Sequence, residues 1–468
     1  MQSMPDVRRV LATAAAAFAF LAAPAGAADV TIEGELLTPV GPGAVEPDAN
    51  ASSGRALRIA AGSAAEGVMT TTRTSVHVFA RVRGNDCFGL PTVSIKVDGV
   101  ERFVGLAGAG YGELGARLSV PAGPHAVSVG IVEGSGSSLT CQRSAWIDTM
   151  TLVAEPFSPG GWRNKRLKKN APLAGNSAAM VAEIRSQVRS RPRGALIGTT
   201  QYSSPIYTVG PDQPAVRVAA PEGAPALQRQ WDAVPLPADA RPAAGTDGNL
   251  ILWQPATDTL WEFWGLSKDP LFGTWRARYG GRMPHVSQNE GHFVDPPGPQ
   301  YGASATSIAL MSGLQRIEEL RRGAVEHAIG LVVIGRGGRD GWCWPAQRTD
   351  PERSSRAPQS IPAGARFRFP ARFDLAAYAS DPRHPLSRYA LTIARAIQRY
   401  GLVVTDASTE IGFAAEDPTP LGYDPYVEIF EGRSPDSQGV LANFPWRKLQ
   451  ALAQPRGRGC VDDPDRDR

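Results

Sequence analysis

Cysteine is scarce. The four in 468 residues, at positions 87, 141, 343 and 460, form no CxxC pair and no His/Cys cluster at zinc spacing, so neither a zinc ribbon nor a dithiol redox centre is expected. A dominant charge is also missing. The 49 Lys and Arg against 45 Asp and Glu give a net charge of +4, and the arginines are scattered, which disfavours a nucleic-acid partner. No stretch beyond the N-terminus reaches the roughly 20 apolar residues of a membrane span. Gly335-Arg336-Gly337-Gly338-Arg339 lacks the Lys-Ser/Thr of a phosphate cradle, and no Gly-x-Ser-x-Gly elbow stands in a strand-to-helix context. Nucleotide chemistry is not indicated, and no cofactor for catalysis is expected.

An export signal is present. Arg8 and Arg9 precede the apolar run Leu11 to Ala23, and Ala25-Gly26-Ala27 has the small-residue cleavage pattern. Residues 1–27 read as a signal peptide, so the protein is expected to be secreted. In an exported chain the cysteines are expected to pair. Of three possible pairings, Cys87–Cys141 with Cys343–Cys460 is the simplest, the second tying down the C-terminal tail.

The 50 Gly and 40 Pro residues argue for many turns and a mainly β fold. The expected architecture is an N-terminal, jelly-roll-like β-sandwich over 28–155, a linker over 156–176, a larger β-rich domain with a few helices over 177–432, and a tail over 433–468. In the first part Val76 to Val82, Val93 to Val97 and Ala126 to Ile131 alternate with period two. Asp98-Gly99 is a hairpin signal, because glycine tolerates positive φ. Pro156 to Asn176, rich in Gly, Pro, Lys and Arg, has linker composition.

In the second part Ala178 to Arg189 has helical spacing, and Gly248 to Trp253 and Thr259 to Trp264 read as two strands of a hairpin. Leu314 to Arg322 is expected as a short helix and Ala328 to Ile334 as a buried strand. Ser387 to Tyr400 is a helix stopped by Gly401, and Leu402 to Thr405 is a strand.

The N-terminal part resembles the carbohydrate-binding modules attached to xylanases. The matching residues are Val76 to Arg81, Cys87-Phe88-Gly89-Leu90-Pro91, Val97-Asp98-Gly99, Pro121 to Val129 and Ala145-Trp146-Ile147-Asp148. The resemblance implies polysaccharide as partner and calcium held by loop carboxylates, since a hard cation prefers oxygen ligands. Asp86 and Asp148, with Glu133, are the candidate ligands, although the Gly/Ser-rich loop from Glu133 to Cys141 lacks the acidic pair of such modules. Tyr111 and Trp146 are candidate sugar platforms. From about Leu250 to Asp417 the chain resembles a family of secreted bacterial proteins without an assigned activity, on Leu260 to Phe263, Ala303 to Gly313, Glu319 to Val333, Trp344-Pro345-Ala346, Ile361 to Phe367 and Tyr400 to Asp406.

Its chemistry therefore rests on residue types. Glu262, beside Trp261 and Trp264, is a candidate acid or nucleophile with a raised pKa, and Asp247, just before the preceding strand, is its candidate partner in the carboxylate pair of glycoside hydrolysis. His327, between a helix and an apolar strand, is a candidate assisting acid/base. Trp261, Trp264, Tyr279, His285, Glu290, His292 and Trp344 are candidate substrate contacts on aromatic strands and a polar loop. The leading expectation is a glycoside hydrolase. The alternatives are a polysaccharide lyase, with Tyr279 as base near Arg276, Arg278 and Arg282, and a non-catalytic extracellular glycan-binding protein.

Overall fold

The structure is a computed structural model that describes residues 30–71, 75–121, 123–132, 141–154, 156–158, 160–209, 213–254, 257–293, 301–334, 341–349 and 361–454. The signal segment, Glu133, Asp295, Gly335 to Arg339 and Cys460 lie outside these residues. The fold is mainly β. Among the described residues no helix is long and apolar enough to cross a membrane.

The N-terminal part has eleven strands: β1 (Val30–Glu33), β2 (Thr38–Val40), β3 (Gly43–Pro47), β4 (Arg55–Ala60), β5 (Ala64–Thr71), β6 (Ser75–Gly84), β7 (Thr92–Val97), β8 (Val100–Leu106), β9 (Gly112–Val120), β10 (Gly123–Ile131) and β11 (Ser144–Ala154). They form two antiparallel sheets, ordered β3-β4-β11-β6-β9 with β1 added on β11, and β2-β5-β10-β7-β8. Period-two alternation places Leu57, Ile59, Val78, Val82, Ile147 and Leu152 of one sheet against Met69, Val93, Ile95, Val127 and Val129 of the other. Each such side chain contributes about 1.5–3 kcal/mol on burial. Asp98 (φ 53°) and Gly99 (φ 75°) make the tight β7–β8 turn. Cys87 and Cys141 are bonded, their Cα atoms 5.8 Å apart. Cys343 is also disulfide-bonded, and its expected partner Cys460 is outside the described residues.

The second part contains β12 (Leu196–Gly198), β13 (Ser204–Thr208), β14 (Val218–Ala219), β15 (Leu250–Gln254), β16 (Thr259–Trp264), β17 (Ser267–Lys268), β18 (Trp275–Arg276), β19 (Tyr279–Pro284), β20 (Ile329–Ile334), β21 (Arg366–Arg368), β22 (Leu402–Ser408), β23 (Gly412–Ala414), β24 (Glu416–Asp417) and β25 (Gln450–Ala451). Its helices are α1 (Ser177–Arg189), α2 (Pro225–Gln230), α3 (Leu310–Gly313), α4 (Ile317–Arg322), α5 (Leu375–Ala379), α6 (Arg388–Tyr400) and α7 (Tyr426–Ile429). Two larger sheets run β12-β23-β20-β22-β21-β25 and β19-β16-β15-β13-β24. They are mixed rather than purely antiparallel, because β20 pairs parallel with β22, and β13 parallel with β15. The chain passes from β23 to β24 through the single residue Ala415, so one segment serves both sheets.

The expected hairpin is present, with Ile251 opposite Glu262 in the β15–β16 register. Helix α6 is set by its ends. Ser387 Oγ accepts from Ala390 N, satisfying an otherwise orphaned donor, and Gly401 at φ 97° stops it. Its apolar stripe, including Tyr389, Ile393 and Ile397, packs into the largest core.

Two segments differ from their sequence reading. Residues 156–176 are not a solvated linker: Phe157, Trp162, Arg163 and Asn164 are buried, and Arg163 Nε donates to Ser312 O at 2.9 Å. Residues 433–454 are not a loose tail, since Phe444, Trp446 and Leu449 enter the largest core and β25 pairs with β21. Composition missed both because their few aromatic and aliphatic residues find partners far away in sequence.

Candidate active site

In the middle of β22 the strand register slips: Leu331 faces Val404, but Val332 faces Asp406. A slip of this kind adds a residue to one strand and re-aims the next side chains. Ligands favour the carboxyl ends of parallel strands, and Asp406 lies two residues before the end of β22. The residue is half-buried. Its Oδ1 accepts from Ala407 N at 2.8 Å and from Ala305 N at 3.4 Å. Burial pushes its carboxyl up to about 6. The two amides hold it partly down, the charge of Asp247 pushes it further up, and Arg348 opposes that rise.

Asp247 arrives from the other sheet. Its turn is shaped by Gly245 (φ 97°) and Gly248 (φ 49°). It is tied to the far end of the hairpin, where Gly265 N donates to Asp247 O at 2.5 Å and Trp264 Nε1 donates to Asp247 Oδ1 at 3.2 Å. The Arg278 guanidinium lies over the Trp264 ring, 5.3 Å from its centroid. Arg348 lies over Tyr279 at 5.2 Å, and its Nη2 donates to Ser304 O and Gly302 O.

The loop 301–309 is the common floor. Thr306 Oγ1 donates to Thr405 O at 2.6 Å, and Ser304 Oγ donates to Ile308 O at 2.7 Å. The charge of Asp247 is thus felt at Asp406 and opposed by Arg348, while Trp264 holds Asp247. That arrangement can hold one proton at Asp406 through mildly acidic pH.

The candidates from sequence divide into those at this cluster and those elsewhere. Asp247, Trp264 and Tyr279 belong to it, and the last two are half-buried. Glu262 does not pair with Asp247. It is fully buried beneath the loop, where Oε1 accepts from Met311 N at 3.1 Å and Oε2 has no partner. Burial pushes it up to about 7, against the pull of the Leu310, Met311 and Ala303 amides. A substrate has no route to it. The like charge that Asp247 faces is that of Asp406.

His327 opens to no cleft. It is buried, with Nδ1 donating to Ala328 O at 2.8 Å and Nε2 3.1 Å from Glu319 Oε2. Burial pushes Glu319 up, but His327, Arg316 and Arg163 outweigh this and hold its carboxyl well below the usual range. Trp261 points to the opposite face from Glu262, into the core with Trp231 and Phe263. His292 is buried edge-on against Trp344, ring centroids 4.6 Å apart, and burial lowers it to about 4. Both pack behind the loop, through the bridge of His292 to Ile308. His285 and Glu290 are exposed.

Of the three calcium candidates, Asp148 and Asp86 are already engaged, and Glu133 lies outside the described residues. Asp148 is fully buried, its Oδ1 accepts from Ser52 N and Ser52 Oγ, both at 2.8 Å, and its Oδ2 is paired with Arg81. Asp86 Oδ1 accepts from Gly89 N in its own turn. Among the described residues no group of three or more His, Cys, Asp or Glu has metal-holding geometry. Trp146 and Tyr111 are not bare platforms either, as Arg83 covers both rings, at 3.9 and 5.5 Å.

Sequence reasoning missed Asp406, Arg348, Ser304 and Thr306. The available signal was a lone carboxylate two residues after the apolar run Leu402 to Val404.

No family model matches the chain, and no curated protein matches it. Local likenesses to solved structures exist. An exo-β-1,3-galactanase from Phanerochaete chrysosporium matches at 17% identity and TM-score 0.23, over 27% of this chain and 29% of that one. A family 36 carbohydrate-binding module of a xylanase from the hindgut metagenome of Trinervitermes trinervoides matches at 12% identity and TM-score 0.22, over 27% and 98%. A GH87 α-1,3-glucanase from Streptomyces thermodiastaticus matches at 16% identity and TM-score 0.24, over 40% and 36%. The chain spans less than a third of the galactanase's length. At these scores none of the three bears on the site.

Proposed function

We propose that this protein is a secreted, polysaccharide-active enzyme, a glycoside hydrolase whose carboxylate pair is Asp406 and Asp247. The observation that carries the reading is that Asp406, pushed up to about 6 by burial, also feels the charge of Asp247, a carboxylate held by Trp264 Nε1. Hydrolysis of a glycoside needs one carboxyl that keeps its proton and one that is ionised. Asp406 gives its proton to the departing glycosidic oxygen as the bond to the anomeric carbon breaks. Asp247 faces the positive charge that develops on the sugar ring, and water bonds to the anomeric carbon and returns a proton to Asp406. Trp264 and Tyr279 line the site, each with a guanidinium over its ring, Arg278 and Arg348 respectively.

Residues 1–27 serve export in this reading, and residues 28–155 form a polysaccharide-binding unit joined to the catalytic one. The test is a glycan panel assayed for new reducing ends and for unsaturated products, with the wild type, Asp406→Asn and Asp247→Asn. Reducing ends that vanish in both variants support the reading. Unsaturated products that survive in both variants and vanish in Tyr279→Phe would assign a lyase instead, which the seat of Arg348 over Tyr279 makes the specific rival.

A further inference from the structure

The sandwich carries a groove of ≈ 640 Å³ on the outer face of its β2-β5-β10-β7-β8 sheet. Its floor is the central strand β10, whose outward positions Ala126, Ser128 and Gly130 are all small. Its walls are Glu66 on β5, Lys96 on β7 and Glu101 on β8. Alternate residues of a strand face opposite sides, so small outward residues between longer neighbours leave a trough. Ser63 also lines it. That hydroxyl is buried, 2% exposed, with no hydrogen-bond partner, a rare condition for a buried polar atom.

We infer that this groove binds an uncharged polysaccharide chain. The inference rests on the polysaccharide reading above and names where the sandwich holds its ligand. Two carboxylates against one ammonium make the walls net acidic, which repels phosphate and uronate chains. A peptide added as a strand needs an open sheet edge, whereas β10 is hydrogen-bonded on both sides, to β5 and β7. Hydroxyls suit what remains, because carboxylates accept from them and Lys96 donates to them. Four strands at about 4.8 Å spacing give a trough roughly 14 Å across, the span of an extended chain segment rather than a single ring.

The test uses the full chain in affinity electrophoresis with a panel of soluble neutral polysaccharides and with polygalacturonate. Ser128→Trp fills the floor, and the double variant Glu66→Gln/Glu101→Gln weakens the walls without changing their size. Binding to the neutral ligand at least tenfold weaker in either variant, with an unchanged melting temperature and unchanged turnover of a short soluble substrate, is the expected result. Where Ser128→Trp melts early, the double variant decides. Wild-type affinity in a correctly folded variant set overturns the groove and leaves the polysaccharide reading standing. Absence of binding to every polysaccharide by the wild type overturns both, and preference for polygalacturonate overturns the uncharged class.

Discussion

The indole Nε1 of Trp264 donates to Asp247 Oδ1 at 3.2 Å, so the last residue of β16 fixes the carboxylate that faces Asp406 on the neighbouring sheet. Because Asp406 is pushed up to about 6, it keeps its proton through mildly acidic pH and loses it as pH rises. An acid catalyst of that pKa makes turnover fall above about pH 6. Asp406→Asn removes the proton while keeping the size, and kcat is expected to drop about 10²–10⁴-fold. The fall above pH 6 should disappear with it, while the melting temperature changes little. A variant that keeps wild-type turnover would show that Asp406 is not the acid.

Glu262 makes the opposite prediction. Its folded-state pKa near 7 lies above the ordinary 4.5, so the stability it lends is full below about pH 4.5 and is lost as pH rises through 7. The difference amounts to about 3 kcal/mol. Glu262→Gln still accepts from Met311 N and carries no charge. It is expected to match the wild type at pH 4.5, to exceed it by up to about 3 kcal/mol at pH 8, and to keep activity. Denaturant unfolding at both pH values, with turnover measured alongside, checks this. A hundredfold activity loss in a stable variant would return Glu262 to the catalytic pair.

What the sequence made legible follows the range of each interaction. The β15–β16 hairpin and α6 could be read because their signals are local: a short polar connection, a serine cap and a glycine stop. The sandwich could be read from period-two alternation. Asp406 could not, because its meaning depends on β22 lying parallel to β20 and on a loop a hundred residues earlier donating Ala305 N. Arg163 was hidden in a basic, glycine-rich stretch whose composition is that of a linker, yet it is buried against Ser312. Glu262 was legible as a carboxylate with a raised pKa. Its depth was not, since burial is set by loop 301–309 closing over it.

His327 and Glu319 form a buried couple whose loss should cost stability and leave chemistry alone. His327→Ala leaves the Glu319 carboxylate enclosed without its hydrogen-bond partner at 3.1 Å, and a buried polar group left unsatisfied costs about 1–3 kcal/mol, more when charged. Glu319 is held below its ordinary range, so its contribution is present above about pH 4.5 and is lost as pH falls through the folded value. The variant is therefore expected to melt well below the wild type at pH 7, with the gap narrowing in acid. Its kcat per folded molecule should stay within a few-fold. A large kcat loss with an unchanged melting temperature would make His327 part of the reaction.

Chelation separates the two accounts of the sandwich. A calcium-dependent module loses its ligand when the ion is removed, because the cation itself bridges to sugar oxygens. Here the oxygens of Asp148 are already engaged by Ser52 and Arg81, and Asp86 holds its own turn through Gly89 N. Freeing Asp148 for a metal would leave the Arg81 guanidinium without its carboxylate, a loss that the ion's own charge beside it would worsen. EDTA is therefore expected to leave the melting temperature and polysaccharide affinity unchanged, and added calcium to raise neither. In contrast, Arg81→Ala strips Asp148 of a partner and is expected to destabilise the sandwich by about 1–3 kcal/mol. A melting temperature that falls several degrees in EDTA and recovers with calcium would show that the ion, rather than Arg81, neutralises this part of the sandwich.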